Sequence, residues 1–297
     1  MAIAPKLKSY LLLHLIVFIW GFTAILGALI SVSAIPLVWF RMSLASVLML
    51  AYVLFKKYNL RITRKQFFQY LFGGVVIALH WITFFYAIKI SNISIALATM
   101  STGAFFTIFI EAIFKRKRIN GIEFCFGLLA ILGLYVIYSS AIQLQLGIVY
   151  ALIASFLSAL FSVFNVDFVK EQKASVISFY EILFGVLAIT LYITFDGTLF
   201  SESFFIIQPL DYLWIFILSS VCTAYAFIVS VDLLKQLSAF TVMLTINLEP
   251  IYAIILAVII FPETEKMTTN FYIGAIIILL TVVVNGVYKL RKKQRIK

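Results

Sequence analysis

The chain is poor in charge. Only 12% of its 297 residues are Asp, Glu, Lys or Arg, against 64% hydrophobic residues, and its mean hydropathy is +1.12. A water-soluble domain of this length needs far more polar surface, so a soluble globular fold is excluded. Cysteine is scarce too. Cys125 and Cys222 both fall inside apolar runs, which says nothing of a disulfide framework and reads as small buried apolar residues. There is no glycine-rich phosphate loop, no Cys-x-x-Cys pair and no His-Glu-x-x-His. Phosphate-driven and metal-driven chemistry therefore have no support, no cofactor or metal site is expected, and the chain is not read as an enzyme. The alternating ten-residue segments of a membrane β-barrel are missing as well.

Long apolar runs fill the sequence instead. About 20 helical residues cross a hydrocarbon core of roughly 30 Å, and ten such runs stand out: 10–28, 35–55, 66–88, 93–114, 122–140, 146–164, 175–195, 212–233, 239–261 and 271–288. In lipid each must satisfy its own backbone hydrogen bonds, so each reads as a helix. Lys and Arg set the orientation. With the N-terminus inside, twenty of the 23 basic residues fall on the cytoplasmic side, mainly in 56–65, in 115–118 and in the tail from 289 to 297. Only Lys89 and Lys266 fall outside, and Arg41 lies within a run. The net charge of +11 is thus anchorage to the cytoplasmic face and to anionic lipid, not a nucleic-acid surface. A multi-pass protein of the plasma or inner membrane, with both termini in the cytoplasm, is expected. The first run has the outline of a secretory signal, with Lys6 and Lys8 before it and Ser31-Val32-Ser33-Ala34 after it. The internal repeat requires it to be kept.

A shift of 146 residues lays the third and fourth runs on the eighth and ninth: Lys89 meets Lys235, Thr99 meets Thr245 and Gly103 meets Glu249. Nearby shifts pair Ala45 with Gly185, Gly21 with Ala159 and Gly127 with Gly274. The chain divides into two five-helix repeats, 1–140 and 141–297. Five is odd, so the second repeat enters the membrane from the opposite side. The charges agree: residues 56–65 carry five basic and no acidic residues, while their counterpart 196–211 carries three acidic and no basic ones. Inverted repeats are a transporter device, because two leaning halves can expose one central site to either side.

The residues now resemble a known family. The first half holds Trp20-Gly21-Phe22, Phe40-Arg41 with Leu44-Ala45, and Tyr86-Ala87-Ile88-Lys89 followed by Ala96. The second holds Gly147, Ala151-Leu152, Ala154-Ser155 and Ala159-Leu160, then Asn247-Leu248-Glu249-Pro250 running on to Ala257 and Phe261-Pro262-Glu263. In order and spacing these are similar to the EamA family of the drug/metabolite transporter superfamily. The resemblance implies an all-α integral membrane fold, ten transmembrane helices built from two inverted five-helix repeats around a central cavity, and transport of metabolites, often as export. Two positions depart from the family pattern: Ala104 stands where a proline is expected, and Arg116-Lys117-Arg118 where Gly-Glu-Arg is usual. The fourth run is therefore expected to be straighter than the ninth.

Charge at the bilayer centre costs roughly 2.5–3.5 kcal/mol on insertion scales, so polar residues within the runs mark a pathway. Glu249 lies near mid-membrane, with Thr241 and Thr245 on its face and Pro250 after it to break the helix. Thr99, Gly103 and Thr107 form a stripe that either faces the Glu249 stripe or packs through small residues. A leucine at Gly103 would then block the pathway without unfolding the protein. His80 and Trp81 in the third run and Trp20 in the first complete the set expected to bind substrate; His80 alternatively makes one hydrogen bond to a neighbouring helix. In the sixth run Ser155, Ser158 and Ser162 read as tight packing. Arg41 and Glu181 match across the repeats but differ in depth by roughly 10 Å at 1.5 Å per residue, so each is expected to line its own part of the pathway, with a direct ion pair as the alternative.

The reading is a secondary transmembrane transporter of a small metabolite, an amino-acid-like or other polar or amphipathic solute, exporting it by alternating access as a monomer or homodimer. Its partners are the small-molecule substrate, the lipid bilayer and, through Glu249, protons; Glu249 alternatively bonds a substrate ammonium or amide. The rival readings are a membrane-embedded enzyme or lipid-handling protein, which calls for clustered reactive groups near one interface, and a non-transporting sensor or scaffold, which usually carries a soluble domain.

Overall fold

The computed structural model describes residues 5–116, 118–119, 121–246 and 248–295. Lys117 of the basic cluster, Asn247 of the Asn-Leu-Glu-Pro motif and Lys297 of the tail lie outside them. Every regular element among the described residues is helical: α1 (Pro5–Leu29), α2 (Ala34–Phe55), α3 (Arg64–Ile90), α4 (Ile93–Met100), α5 (Gly103–Lys115), α6 (Gly121–Ser140), α7 (Gln145–Glu171), α8 (Ala174–Phe195), α9 (Pro209–Ser219), α10 (Ala226–Leu233), α11 (Ala239–Ile246), α12 (Glu249–Ile260), α13 (Pro262–Glu265) and α14 (Thr269–Arg295). Among the described residues, seven helical stretches are long and apolar enough to cross a membrane: Leu7–Leu29, Ala34–Phe55, Arg64–Ile90, Ile93–Lys115, Gln145–Glu171, Ala174–Phe195 and Pro209–Leu233. The other three apolar runs form the shorter helices Phe124–Ser140, Glu249–Ile260 and Thr269–Asn285.

The outer surface explains the composition. Phe55, Phe195 and Ile113 are more than two-thirds exposed, within a broad apolar exterior. Such a surface is stable against lipid and not against water. Cys125 sits on it, exposed, contrary to the expectation of burial, whereas Cys222 is buried.

Local sequence fixes several boundaries. Thr63 and Gln66 form a capping box at the start of α3: Thr63 Oγ1 accepts from Gln66 N–H at 3.2 Å, and Gln66 Oε1 accepts from Thr63 N–H at 2.9 Å. Asn92 caps α4, its Oδ1 accepting from Ile95 N–H at 2.9 Å, and Ser238 caps α11, its Oγ accepting from Thr241 N–H at 3.2 Å. The fourth run is not straight. It breaks at 101–102, between α4 and α5, although it has no proline. Thr102 N–H bonds back only three residues, to the Thr99 carbonyl at 3.1 Å, and the Ser101 and Thr102 hydroxyls bond to the Leu97 and Thr99 carbonyls. Hydroxyl back-bonding of this kind bends helices, so serine and threonine do here what the missing proline was expected to do.

Helices meet where side chains are small. α3 packs between α7 and α8, and a Cβ on Gly74 would lie 2.9 Å from the Gly185 nitrogen. α6 and α14 cross at Gly133 and Gly274, where a Cβ on either would come within 2.9 Å of the other's carbonyl oxygen.

Candidate functional site

A cavity of about 70 Å³ lies among α1, α2, α3, α4, α7, α10, α11 and α12, several times the space one water needs. Its wall is mostly aromatic and aliphatic, including Trp20, Trp81, Phe84, Phe161 and Phe227, with a few polar groups: Thr23, Arg41, His80, Ser158, Ser162, Asn165, Ser230 and Glu249. A largely apolar pocket with a few placed polar groups is the usual form of a small-solute site.

Arg41 is the cation of this wall, buried to 1% exposure. Its guanidinium carbon sits 3.9 Å from the centre of the Trp81 ring, which balances a buried charge with the ring's negative face. Its Nε–H donates to Thr223 Oγ1 at 2.6 Å, and Nη1 has no partner among the described residues. Thr223 is held in turn: its hydroxyl donates to the Leu218 carbonyl, five residues back, at 2.7 Å. This spacing belongs to a π-helical segment, Ser220–Tyr225, inserted between α9 and α10. One more acceptor comes from it, because the Cys222 carbonyl takes the Trp20 indole N–H at 3.1 Å. π-Segments of this kind concentrate at functional sites, since they turn carbonyls and side chains out of the regular ladder.

Glu249 is the acidic residue of this wall. It is partly exposed to the cavity and opens α12 after the break in the ninth run, with Pro250 next. The first turn of a helix presents free N–H groups and the positive end of its dipole, a favourable place for a carboxylate. α1 approaches closely here: a Cβ on Gly21 would lie 3.7 Å from the Glu249 carbonyl oxygen. Arg41 and Glu249 act on each other electrostatically but form no direct ion pair. His80 is anchored, its Nδ1 lying 2.8 Å from the Ala154 carbonyl. A carbonyl can only accept, so Nδ1–H donates and Nε2 is the ring's free acceptor. His80 thus bonds to a neighbouring helix and also lines the cavity.

Of the residues singled out in the sequence, Trp20, Arg41, His80, Trp81 and Glu249 share this one cavity, and Pro250 adjoins it. Thr99, Gly103 and Thr245 are not in its wall. Thr99 is fully buried, and Thr245 bonds to the Thr241 carbonyl at 2.9 Å. Gly103 faces α7 and α11, where a Cβ would meet Met243 Cε at 2.5 Å and Ser155 Oγ at 3.3 Å. A leucine there would overpack the contact, so Gly103 does not provide the clean blocking substitution expected of it. Glu181 is fully buried behind the wall and bonds to Asn165, not to Arg41. The sixth-run serines divide: Ser155 packs against α4 through the Met100 carbonyl at 3.0 Å, while Ser158 and Ser162 line the cavity. Sequence reading missed the π-segment and Asn165. The signal for Asn165 is its place three residues after Ser162, just past the apolar run that closes at residue 164.

One end of the helix assembly is tied by carboxylates. Asp211 accepts from Ser31 N–H at 3.1 Å and from Ser31 Oγ–H at 2.5 Å. Glu265 accepts from the first N–H groups of α4, Ile93 at 2.8 Å and Ser94 at 2.9 Å, and Lys89 donates to the Ile30 carbonyl. The cavity wall runs away from this end, as far as Leu234 and Val242.

The sequence model of the EamA-like transporter family matches residues 7–139 and again 145–287. The chain belongs to the EamA-like transporter family. It is accordingly a multi-pass membrane protein of a transporter family. A similar protein is an uncharacterized transporter of Clostridium kluyveri, 24% identical over 218 residues, which make up 70% of this chain and 67% of that protein. A solved crystal structure superposes over 93% of this EamA-like chain and 96% of its own, with a TM-score of 0.69 and 15% identity, which is a likeness of fold.

Proposed function

We propose that this EamA-like protein is a secondary transporter of a small amino-acid-like solute. The observation that carries the proposal is the unpaired couple in the cavity: a guanidinium, Arg41, and a carboxylate, Glu249, both line it, and neither neutralises the other directly. A zwitterionic solute fits between them, its carboxylate on the Arg41 guanidinium and its ammonium on Glu249, with the Trp20, Trp81 and Phe227 rings against its side chain. Charge-assisted hydrogen bonds are the strong ones in a dry site.

The same proposal takes ten spans in two inverted repeats, with alternating access and net export. The two helix breaks support the repeat. Under the 146-residue shift the break between α4 and α5 falls on the junction of α11 and α12, and the cap Asn92 falls on the cap Ser238. Discontinuous helices at corresponding positions of two halves are where transporters build their sites. The carboxylate ties at one end, with a cavity running toward the other, support alternating access. The direction is taken from the family likeness.

The test is counterflow into proteoliposomes with a labelled mixture of amino acids. Each charge-assisted bond is worth about 1.5–3 kcal/mol, so Arg41→Ala and Glu249→Gln are each expected to weaken uptake of the preferred solute by about ten- to a hundredfold. Both variants retaining wild-type apparent affinity, or the wild type moving uncharged solutes only, would overturn the assignment of the pair.

A further inference from the structure

Behind the cavity wall lies a carboxyl that substrate binding does not use. Glu181 in α8 is fully buried. Its Oε1 accepts from Asn165 Nδ2 at 3.0 Å, and Asn165 is itself 1% exposed and part of the cavity wall. Among the described residues Glu181 Oε2 and Asn165 Oδ1 have no partner, and neither do the hydroxyls of Ser178, one turn earlier on α8, and of Tyr70 on α3. Two glycines let α3 close directly over the carboxyl: a Cβ on Gly73 would lie 3.1 Å from Glu181 Cδ, and Gly74 packs on the Glu181 carbonyl.

Charged neighbours are few. Among the described residues of α3, Tyr70 is the titratable neighbour. α7 presents Asn165, while Asp167 and Glu171 are occupied at its exposed end by Lys115, Lys170 and Lys65. The charge on α2 is Arg41, which faces the cavity and Thr223. α10 carries Asp232, exposed and paired with Lys235. The turn at 198–200 packs at the far end of α8.

Among the described residues no cationic side chain is paired with Glu181, and an unpaired carboxylate inside a bilayer is stabilised by taking up a small cation. A metal ion wants several strong ligands aimed at one point, and among the described residues no group of three His, Cys, Asp or Glu side chains stands together here. A proton needs only the free oxygen. We infer that Glu181 is a proton-binding site of this protein, linked to the cavity through Asn165. A hydronium ion in the cavity water gives one proton to Oε2 and is left as water: one O–H bond breaks, one forms, and the carboxylate becomes a neutral carboxyl. Protonation weakens Oε1 as an acceptor and loosens Asn165, so occupancy of this site alters a residue of the cavity wall.

The test is infrared difference spectroscopy of the full chain in phosphatidylcholine vesicles, titrated with acid in choline chloride and in sodium chloride, with no solute added. The wild type is expected to show a titrating protonated-carboxyl C=O band that is lost in Glu181→Gln and kept in Glu249→Gln. Asn165→Val, which leaves the carboxyl in place but removes its donor, is expected to shift that band; this keeps the site testable if Glu181→Gln does not elute as folded protein. A Glu181→Gln spectrum identical to the wild type overturns the inference, as does a band that sodium removes at constant pH. No solute enters the experiment, so it stands or falls separately from the transport reading.

Discussion

Arg41 shows how much of a site rests on one side chain's surroundings. Its charge is held by three unlike groups: the Trp81 ring, the Thr223 hydroxyl and the field of Glu249 across the cavity. Thr223→Val keeps the volume but removes an acceptor from a buried guanidinium N–H. Leaving such a donor unpaired costs about 1.5–3 kcal/mol, so the variant is expected to unfold at a clearly lower temperature in detergent, with Thr223→Ser close to the wild type. Equal unfolding temperatures for Val and Ser would mean the bond contributes nothing. Gly103 makes the complementary case. Its missing side chain is occupied by Met243 and Ser155, so Gly103→Leu is expected to cost about 1–3 kcal/mol of stability by overpacking, read in the same thermal assay. An unchanged unfolding temperature would return Gly103 to the pathway.

Helix breaks are the elements that shape the cavity, and they were unequally legible. Pro250 announced the break before α12, because proline lacks the N–H that would continue the ladder and suits the first turn of a new helix. The bend at 101–102 rests on hydroxyls bonding back to carbonyls, which no single residue type signals. The π-segment at Ser220–Tyr225 is an accommodation between Thr223, Leu218 and Arg41, three residues brought together only by packing. Pro250→Ala frees an N–H for the preceding turn and lets α11 and α12 merge. Its expected effect on stability is below about 1 kcal/mol, since a first-turn proline is little strained. Transport in the counterflow assay is expected to slow severalfold as Glu249 loses its place at a helix start. A Pro250→Ala protein transporting at the wild-type rate would detach the break from function.

At the scale of the whole molecule, the charge bias makes a claim about sidedness. In a background with Cys125 and Cys222 replaced by serine, single cysteines placed in 56–65 and 115–118 are expected to label only from the cytoplasm, and those in 196–211 only from outside. External labelling of either basic loop would refute both the orientation and the inverted repeat. The carboxylate ties of Asp211 and Glu265 lie at the end assigned to the outside. Asp211→Asn, which weakens the bond to Ser31, is therefore expected to raise external access to a cysteine at Trp20 severalfold, measured by labelling rate.

Apolar runs and basic loops determined, without any structure, that the chain is helical and lives in a membrane, because hydrocarbon tolerates only backbones that satisfy themselves and basic residues anchor the helix ends. The runs also marked where charge within the bilayer had to have a purpose, and Arg41, His80, Trp81, Trp20 and Glu249 do meet around one space. Packing alone decided the rest. A stripe of Thr99 and Gly103 can face a cavity or another helix, and the sequence is the same in either case; the fit of Met243 and Ser155 against Gly103 chose the helix. Glu181 can pair with Arg41 or sit behind Asn165, and the closure of α3 over it through Gly73 and Gly74 chose the latter. Partners more than a hundred residues apart along the chain, such as Arg41 and Thr223, are set by which helix faces come together, and that is a property of the whole assembly and not of any run within it.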